Sequence, residues 1–391
     1  MFKGCCVLAL ALCLVSPTWA AESDDQLSLA DLNDRVEQLE QSTPSWLEKI
    51  TLKGDFRYRF EHIDMEDTSN RNRHRFRFRF FVGAEVNELV DLGLQFASGS
   101  EDPVSTNQSF DNGWDTKRAG IDLAYFDYHP INKESLELNV VGGKMKTPFA
   151  VMSKSELLWD PDIRPEGMVV NFSSNCDDSI NWFGHAGLFY LEERSTAADS
   201  RMVGGQLGVV VGLNDCGSVT AGAGYYDFGQ LEGRPSLFDD TDAAGNSATK
   251  RAGLMLYNDD YNELELFAEF ATEIESLPVH VFGNWVNNRK ADDEDKGWLA
   301  GVKVGKVKEF GTWDFRYQYK HIEQDAVVGA FTDSDFGGGG TNSKGHEFNV
   351  GFGLGDDWKL ALSYFLNETG IASGQTEMDY DRYQIDLKFK F

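Results

Sequence analysis

The sequence predicts an all-β protein: a transmembrane, antiparallel, up-and-down β-barrel of about 16 strands, preceded by a short helical or coiled-coil stub. Three observations predict this fold. Apolar and polar side chains alternate in segments of about 10 to 14 residues from Ile50 to the end of the chain. Short turns and longer loops alternate as the connections between these segments. The last segment keeps the alternation up to a terminal Phe391.

The chain begins like an exported protein. Met1-Phe2-Lys3 precedes an apolar run over residues 5–15 and a small-residue region that ends in Ala20-Ala21, which predicts a signal peptide over residues 1–20. A lipoprotein would need a cysteine directly after the small-residue box, whereas Cys13 lies within the apolar run. No later stretch approaches the roughly 20 apolar residues of a membrane-spanning helix. Export to the bacterial outer membrane is therefore expected.

Residues 21–45 are predicted to form a periplasmic stub and linker. Leu29, Leu32, Val36 and Leu39 recur at spacings of 3, 4 and 3 residues, which is the a/d pattern of about two heptads, and Pro44 ends the helix. Two interpretations stay open. The stub is either a short coiled coil that associates chains or a single amphipathic helix on the rim of the barrel, since two heptads alone are marginally stable.

The barrel is predicted over residues 50–391. In the first segment Ile50, Leu52 and Phe56 lie on one face, while Lys53 and Asp55 lie on the other. The predicted strands cover residues 50–63, 73–86, 89–99, 117–129, 134–145, 167–174, 179–192, 201–213, 217–229, 261–272, 278–288, 296–308, 311–323, 345–355, 357–368 and 380–391. Their connections are short on one side and mostly longer on the other, as in outer-membrane barrels.

The last strand carries the strongest single cue. Tyr383, Ile385, Leu387, Phe389 and Phe391 alternate with polar residues, and this ending resembles the outer-membrane assembly signal of bacterial porins, which implies the assembly machinery as a partner. Aromatic residues near predicted strand ends would form the girdles at the membrane interfaces. The candidates for these girdles are Trp114, Trp182, Tyr225, Tyr226, Trp298, Trp313 and Trp358.

Five arginines of the first two strands project to the polar side, which is the lumen of a barrel: Arg57, Arg59, Arg75, Arg77 and Arg79. A hairpin centred on residues 67–69 would place Arg57 opposite Arg79 and Arg59 opposite Arg77. Directly opposed like charges destabilise a sheet, so the cluster favours a function, either a transverse field or an anion-attracting strip. The alternative is that carboxylates of the lumen neutralise these arginines for folding alone.

The third outer loop, residues 146–166, is long, punctuated by prolines and apolar enough to pack. Folded inward, it would narrow the pore. The pore-lining and constriction candidates around it are Lys144, Lys146, Lys154, Glu156, Asp160, Asp162, Arg164 and Glu166. The alternative is an outward loop that contacts lipopolysaccharide or a neighbouring subunit.

This region also carries a family resemblance. Gly143-Lys144-Met145-Lys146-Thr147-Pro148-Phe149, the Leu158-Trp159-Asp160 stretch and Pro165-Glu166-Gly167 resemble the putative porin family that is related to phosphate-selective porins. The resemblance covers residues 50–391. It implies a trimer of 16-stranded barrels in the lipid bilayer, and it leaves the solute undetermined.

Charge, cysteines and acidic runs complete the sequence evidence. The formal net charge of −28, or −29 once Lys3 leaves with the signal peptide, argues against nucleic acid as a partner. Of 5 cysteines only Cys176 and Cys216 remain in the mature chain; both are predicted in short turns on one side, so a disulfide is a hypothesis. The acidic runs 239–242, 292–295 and 333–335 lack the full calcium-loop spacing and are interpreted as solvated loops, with weak binding of divalent ions as the alternative. No metal or cofactor is predicted.

The predicted function is passive diffusion of small hydrophilic solutes or ions, with an anion preference. Catalysis is rejected because the 7 histidines are scattered and no GxSxG, HExxH or phosphate-loop motif is present. A non-conducting structural or adhesive barrel is the alternative. About 16 strands leave an aqueous channel, whereas eight-stranded barrels are filled by side chains, so size favours transport.

Overall fold

The computed structural model describes residues 46–99, 102–177 and 179–391, except for the side chains of residues 176 and 177. The signal peptide predicted for residues 1–20 and the stub predicted for residues 21–45 lie outside the described residues. Both remain predictions. The described chain consists almost entirely of strands.

Sixteen antiparallel strands form one closed barrel. Each strand pairs with its neighbours along the chain, and β1 closes the barrel on β16, with Phe56 opposite Phe389. The strands are β1 Ile50–Met65, β2 Arg71–Asn87, β3 Val90–Ser98, β4 Ala119–Lys133, β5 Leu136–Lys144, β6 Glu166–Asp177, β7 Ile180–Glu192, β8 Ser200–Gly212, β9 Ser218–Gly229, β10 Tyr261–Ile274, β11 Leu277–Asn288, β12 Lys296–Gly305, β13 Trp313–Ile322, β14 Ser343–Gly353, β15 Trp358–Thr369 and β16 Met378–Lys390. The predicted fold class and strand number are confirmed.

The smaller elements lie in the connections. Gln108–Ser109 pairs with β2 at Arg75 and Phe76, and Ala248–Arg251 forms a separate hairpin with Leu254–Tyr257. The 3₁₀ turns are Leu47–Lys49, Met152–Lys154, Asn214–Cys216, Gly329–Phe331 and Phe336–Gly338. Within the described residues, no helix has the length and apolar character needed to cross a membrane.

Short connections gather at one end of the barrel, here the turn end, and the longer ones at the other, the loop end. Four of the long loops matter for the lumen: L2 (residues 99–118), L3 (145–165), L5 (230–260) and L7 (323–342). An outer-membrane barrel has this same asymmetry.

The register of the first hairpin differs from the prediction. Arg57 lies opposite Arg77, and Arg59 lies opposite Arg75, rather than two residues further along β2. The turn is centred about one residue earlier, where Thr68 donates its backbone N–H to the Met65 carbonyl oxygen at 3.1 Å. Because side chains alternate with a period of two, a shift of two residues keeps every arginine on the lumen face.

Burial in the barrel is the reverse of that in a soluble protein. Leu52 is 60% exposed and Leu207 is 51% exposed, whereas Arg59, Glu61 and Gln384 are at most 5% exposed. Soluble domains rarely bury unpaired charges and seldom expose a continuous apolar band. An apolar outer surface around a polar interior is what a lipid-embedded barrel needs.

Aromatic residues collect near both ends of the outer surface. Trp358 stacks on Phe389 at 5.9 Å between ring centroids at the turn end, and Trp298 lies 5.3 Å from Tyr319 near the loop end. Tyr226 was wrongly predicted to belong to these girdles. It is fully buried and faces the lumen, because the alternation of β9 turns the adjacent Tyr225 outward instead.

The two faces of β15 provide a direct test of this arrangement. Leu362→Arg on the outer face is expected to destabilise the barrel by about 2–4 kcal/mol, because it places a guanidinium group in hydrocarbon. Ser363→Arg, on the lumen face one residue away, is the matched control. Unfolding in urea from detergent or lipid measures both, and equal losses would contradict the assigned faces.

Candidate functional site: the charged lumen

A strip of cations runs along the lumen face of β16, β1 and β2. The register places Asp386, Arg59 and Arg75 side by side on these three strands. We call the following eight residues the basic strip: Arg57, Arg59, Arg73, Arg75, Arg77, Arg79, Arg382 and Lys388. Five of them, the arginines at positions 57, 59, 75, 77 and 79, were predicted from the sequence.

Carboxylates of the same strands neutralise part of the strip. Asp386 accepts two hydrogen bonds from Arg59, at 2.6 and 2.8 Å. Asp55 lies 2.8 Å from Arg77 and 2.7 Å from Arg79. Such charge-assisted pairs are stronger than neutral hydrogen bonds. Opposed arginines are therefore tolerated because carboxylates interleave with them.

Two further carboxylates reach the strip from loops. Asp162 of L3 lies 3.2 Å from Arg79, and Asp335 of L7 lies 2.7 Å from Arg382. Burial alone would raise the pKa of each carboxyl group, but the facing guanidinium groups hold the pKa of both below its ordinary value. Both carboxylates are therefore ionised at neutral pH.

The strip keeps an excess of positive charge. Among the described residues, its eight cations form salt bridges with five carboxylates, namely Asp55, Glu61, Asp162, Asp335 and Asp386. Arg57 is the least neutralised: the nearest carboxylate oxygen is 3.9 Å away, on Asp386, and the Nε of Arg57 has no acceptor among the described residues. Pairing among the described residues is thus extensive and incomplete.

L3 packs on the opposite wall of the lumen. The ring of Phe149 lies 5.3 Å from Trp159 and 4.7 Å from Tyr226. The backbone N–H of Ala150 donates to Gln206 at 2.7 Å. The loop buries this apolar face against β8 and β9, as its composition predicted.

Buried polar groups of the barrel wall form hydrogen bonds with one another where L3 packs on it. Tyr226 donates to Glu265 at 2.7 Å, and Asn284 and Gln206 donate to the same carboxylate at 2.8 and 3.1 Å. Three donors on one buried carboxylate satisfy its hydrogen-bonding capacity. These hydrogen bonds to Glu265 therefore hold the side chains of the wall on which L3 packs.

L3 also contacts the walls on either side. Arg164 pairs with Asp122 of β4 at 3.1 Å, and Ser153 donates to Glu269 of β10 at 2.5 Å. Together with the contact between Asp162 and Arg79, these bonds connect L3 to separate parts of the barrel wall. L3 accordingly lies within the barrel.

An acidic cluster forms where L3 meets L7. The carboxylates of Glu156, Asp160 and Asp333 lie within 4.8 Å of one another, and the ammonium group of Lys320 lies 3.3 Å from Asp333. Burial, followed by repulsion from the neighbouring carboxylates, raises the pKa of Glu156 and of Asp160 well above the ordinary value. Oxygen ligands of this kind suit a divalent cation, but Lys320 already supplies a cation within the chain.

L7 was not predicted to enter the lumen. The run Asp333-Ser334-Asp335 was expected to be a solvated loop, and this is wrong: Asp333 is 3% exposed. Ser334 donates its backbone N–H to Asp160 at 3.2 Å, so L7 lies against L3. The acid residues are stabilised inside the barrel because Lys320 and the basic strip face them.

The other predicted residues form no salt bridge with the strip among the described residues. Lys144 and Glu166 pair with each other at 2.8 Å, at the loop ends of β5 and β6. Lys146 and Lys154 have exposed side chains. Of the predicted set, the structure brings Asp162 and the five arginines together, with Arg164 close by.

A vestibule lies at the loop end of the barrel. It has a volume of about 1290 Å³ and is lined by residues of L2, L3, L5 and L7. Asp162 and Arg164 form part of its wall, as do Phe238 and Phe331. The vestibule therefore extends from the loop end of the barrel to L3.

One of the two cysteines of the predicted disulfide, Cys216, has a described side chain. Cys216 is exposed in the turn between β8 and β9. The side chain of Cys176 lies outside the described residues. A bond between the two stays a prediction.

The closed barrel, its charged interior and the inward loop L3 define the class: a porin-type transmembrane β-barrel. The family model described as putative porin matches residues 64–264 and 252–391. The chain belongs to this family. No curated protein matches the chain in sequence.

Solved structures agree on the fold. OprB of Pseudomonas putida superposes with a TM-score of 0.58 at 10% identity, covering 92% of this chain and 96% of that one. The L8-deletion mutant of OmpT, an outer membrane protein of Vibrio cholerae, gives 0.50 at 11% identity, covering 88% and 100%. OmpF of Salmonella typhi, in complex with daunomycin, gives 0.50 at 10% identity, covering 88% and 97%.

Proposed function

We propose that this protein is an outer-membrane porin through which small hydrophilic solutes and ions diffuse passively, with a preference for anions. The excess of cations over carboxylates on the basic strip is the observation that carries the proposal. A low-dielectric wall focuses such charge into the water-filled path and raises the local concentration of anions. L3, which lies at the level of the strip, narrows the pore.

The setting of the barrel is part of the proposal. The chain is exported through its signal peptide and inserted by the outer-membrane assembly machinery, which binds the C-terminal strand. It associates as a homotrimer in a bilayer that contains lipopolysaccharide. The motif around Gly143 and Trp159 supports a kinship with phosphate-selective porins, and the solute itself is not fixed by that kinship.

The zero-current potential of the refolded protein under a salt gradient tests the anion preference, with potassium chloride and potassium phosphate compared. We expect an anion-selective potential that weakens in Arg75→Ala and in Lys146→Ala. Lys290→Ala is the matched control, because it removes an exposed cation that is distant in sequence from the residues of the strip. A cation-selective wild type would overturn the preference.

A structural or adhesive barrel is the second candidate, and a specific observation favours it. Both L3 and L7 enter the lumen, and their contacts with the strip and with β13 reduce the open cross-section. Under this alternative, folded and inserted protein would not conduct at all. The charge excess of the strip, which such a barrel does not need, favours transport.

The acidic cluster makes the selectivity depend on pH. Glu156 and Asp160 have raised pKa values, so they take up protons before ordinary carboxyl groups as the pH falls. Lowering the pH from about 8 to about 5 is expected to shift the zero-current potential towards anions, because negative charge leaves the lumen. The folded state, which favours the protonated form of these groups, loses stability as the pH rises through their raised pKa.

The double variant Glu156→Gln, Asp160→Asn is expected to flatten this pH dependence. Asp240→Asn, in an exposed part of L5, is the control, and its zero-current potential should depend on pH as that of the wild type does. If the double variant kept the wild-type pH profile, the dependence would come from other groups.

A further inference from the structure

Asp335 of L7 is held like a bound ligand. Its Oδ1 lies 2.7 Å from Arg382, and its Oδ2 lies 3.0 Å from Arg59. Gln384 donates from Nε2 to the same Oδ2 at 2.8 Å. Two guanidinium groups and one amide converge on a single carboxylate, which is the donor set that proteins use for carboxylate recognition.

Two of the three donors, Arg59 and Arg382, are held by partners other than Asp335. Arg59 is oriented by two hydrogen bonds to Asp386, and Arg382 is oriented by Glu61. Arg59, Arg382 and Gln384 all lie on strands and are at least nine-tenths buried. Because their geometry is fixed by the barrel wall, the three donors would stay in place if the carboxylate of Asp335 moved away.

Asp335, in contrast, belongs to a loop. Four consecutive glycines, residues 337–340, follow it, and Gly337 has a φ of +60° that favours glycine. The side chain of Asp335 is 22% exposed, whereas the side chains of Arg59 and Arg382 are only 6% and 3% exposed. The carboxylate therefore covers the arginines and is itself the member of the group that water reaches.

We infer that Arg59, Arg382 and Gln384 form a carboxylate-binding site in the lumen, which Asp335 occupies from within the chain and for which a carboxylate-bearing solute competes. The inference rests on the proposed function and deepens it, because it names the solute class. A solute carboxylate would form the same three hydrogen bonds that Asp335 forms, and Asp335 would turn into the lumen.

Charge explains why the exchange is possible. Around the site, the salt bridges of Arg57, Arg59, Arg73, Arg75 and Arg382 among the described residues are made with Glu61, Asp386 and Asp335. An anion that replaces Asp335 keeps this balance. An intramolecular competitor acts at an effective concentration in the millimolar range, so the wild type should bind carboxylates weakly, as a diffusion channel requires.

Block of chloride current by succinate in single channels of the full chain tests the inference. We expect Asp335→Ala to lower the half-blocking succinate concentration by about tenfold, because the internal competitor is gone. Asp335→Glu retains the competitor and should resemble the wild type. Asp240→Ala, an exposed acid of L5, is the matched control. Unchanged block by succinate in Asp335→Ala would overturn the inference.

A second variant separates the site from a general disturbance of L7. Asp335→Ala combined with Arg382→Gln removes both the competitor and a donor, so the tighter block should disappear. If the double variant still showed the tighter block, the site would not be the one named. Phosphate, applied at the same concentrations, should block less than succinate; stronger block by phosphate would contradict a carboxylate site.

The outcomes also separate this inference from the proposed function. Channels that conduct but ignore Asp335 would overturn only the carboxylate site. Folded and inserted protein without any conductance would overturn the proposed function, and the inference with it.

Discussion

Arg59→Met is expected to lower the free energy of unfolding by about 3–5 kcal/mol, which is the loss typical of breaking a buried ion pair from one side. Arg59 pairs with Asp386 and with Asp335 at 2.6 and 3.0 Å. Methionine keeps most of the side-chain volume and leaves both carboxylates without this partner. The repulsion between them then adds to the cost of their burial.

The position of Arg59 makes this loss large. The contact with Asp386 joins residues 327 positions apart and spans the seam where β1 meets β16. Urea unfolding, followed by tryptophan fluorescence in detergent micelles, measures the change. Arg201→Met, an exposed arginine at the end of β8, is the control, and a loss below about 1 kcal/mol for Arg59→Met would mean that the seam does not depend on this pair.

Phe149→Ala is expected to loosen L3 and to increase the single-channel conductance. Phe149 is 4% exposed, and its ring packs between Trp159 and Tyr226. Removing a buried phenylalanine side chain costs about 3–5 kcal/mol, which is enough to change the population of the docked loop. Because L3 occupies part of the lumen, an undocked loop leaves a wider path for ions.

Val151→Ala provides the control for this experiment, because Val151 lies in the same loop and is 37% exposed. Single-channel recordings of both variants in planar bilayers measure the effect. Equal conductance of Phe149→Ala and the wild type, in channels of unchanged ion selectivity, would contradict a role of L3 as the constriction.

The strands could be predicted from the sequence because their signal is local. A period-2 pattern, its length and the flanking turn residues are all contained in one segment, and the last strand, with Tyr383 and Ile385 on its outer face, is a clear example. The first hairpin shows the limit of this signal. The pattern assigned Arg57 and Arg59 to the lumen face correctly, but it could not count the turn residues, so the register was wrong by two residues.

The inward fold of L3 had a local signal as well, since apolar residues such as Phe149 and Trp159 need a surface to pack on. L7 had none. Its acid residues and its glycines are typical of a solvated loop, and the partners that stabilise Asp335 inside the barrel come from distant strands. Arg59 lies 276 residues away along the chain, so the pairing could not be inferred from spacing alone.

Arg382 was missed for a related reason. It lies on the polar side of a strand whose apolar alternation dominated the interpretation. The pairing of β16 with β1, which places Arg382 opposite Ile63, brings it into the basic strip. The antiparallel closure of the barrel was the signal that could have identified it.

Single-channel recording of the refolded, full-length barrel in a planar bilayer tests most directly whether the protein is a conducting porin. We expect discrete conductance steps in potassium chloride, since a 16-stranded barrel with a partly neutralised lumen keeps a continuous water path. Resistance to protease and a β-sheet spectrum would show that the protein is correctly folded and inserted. If such protein showed no conductance steps, the proposed channel function would be contradicted.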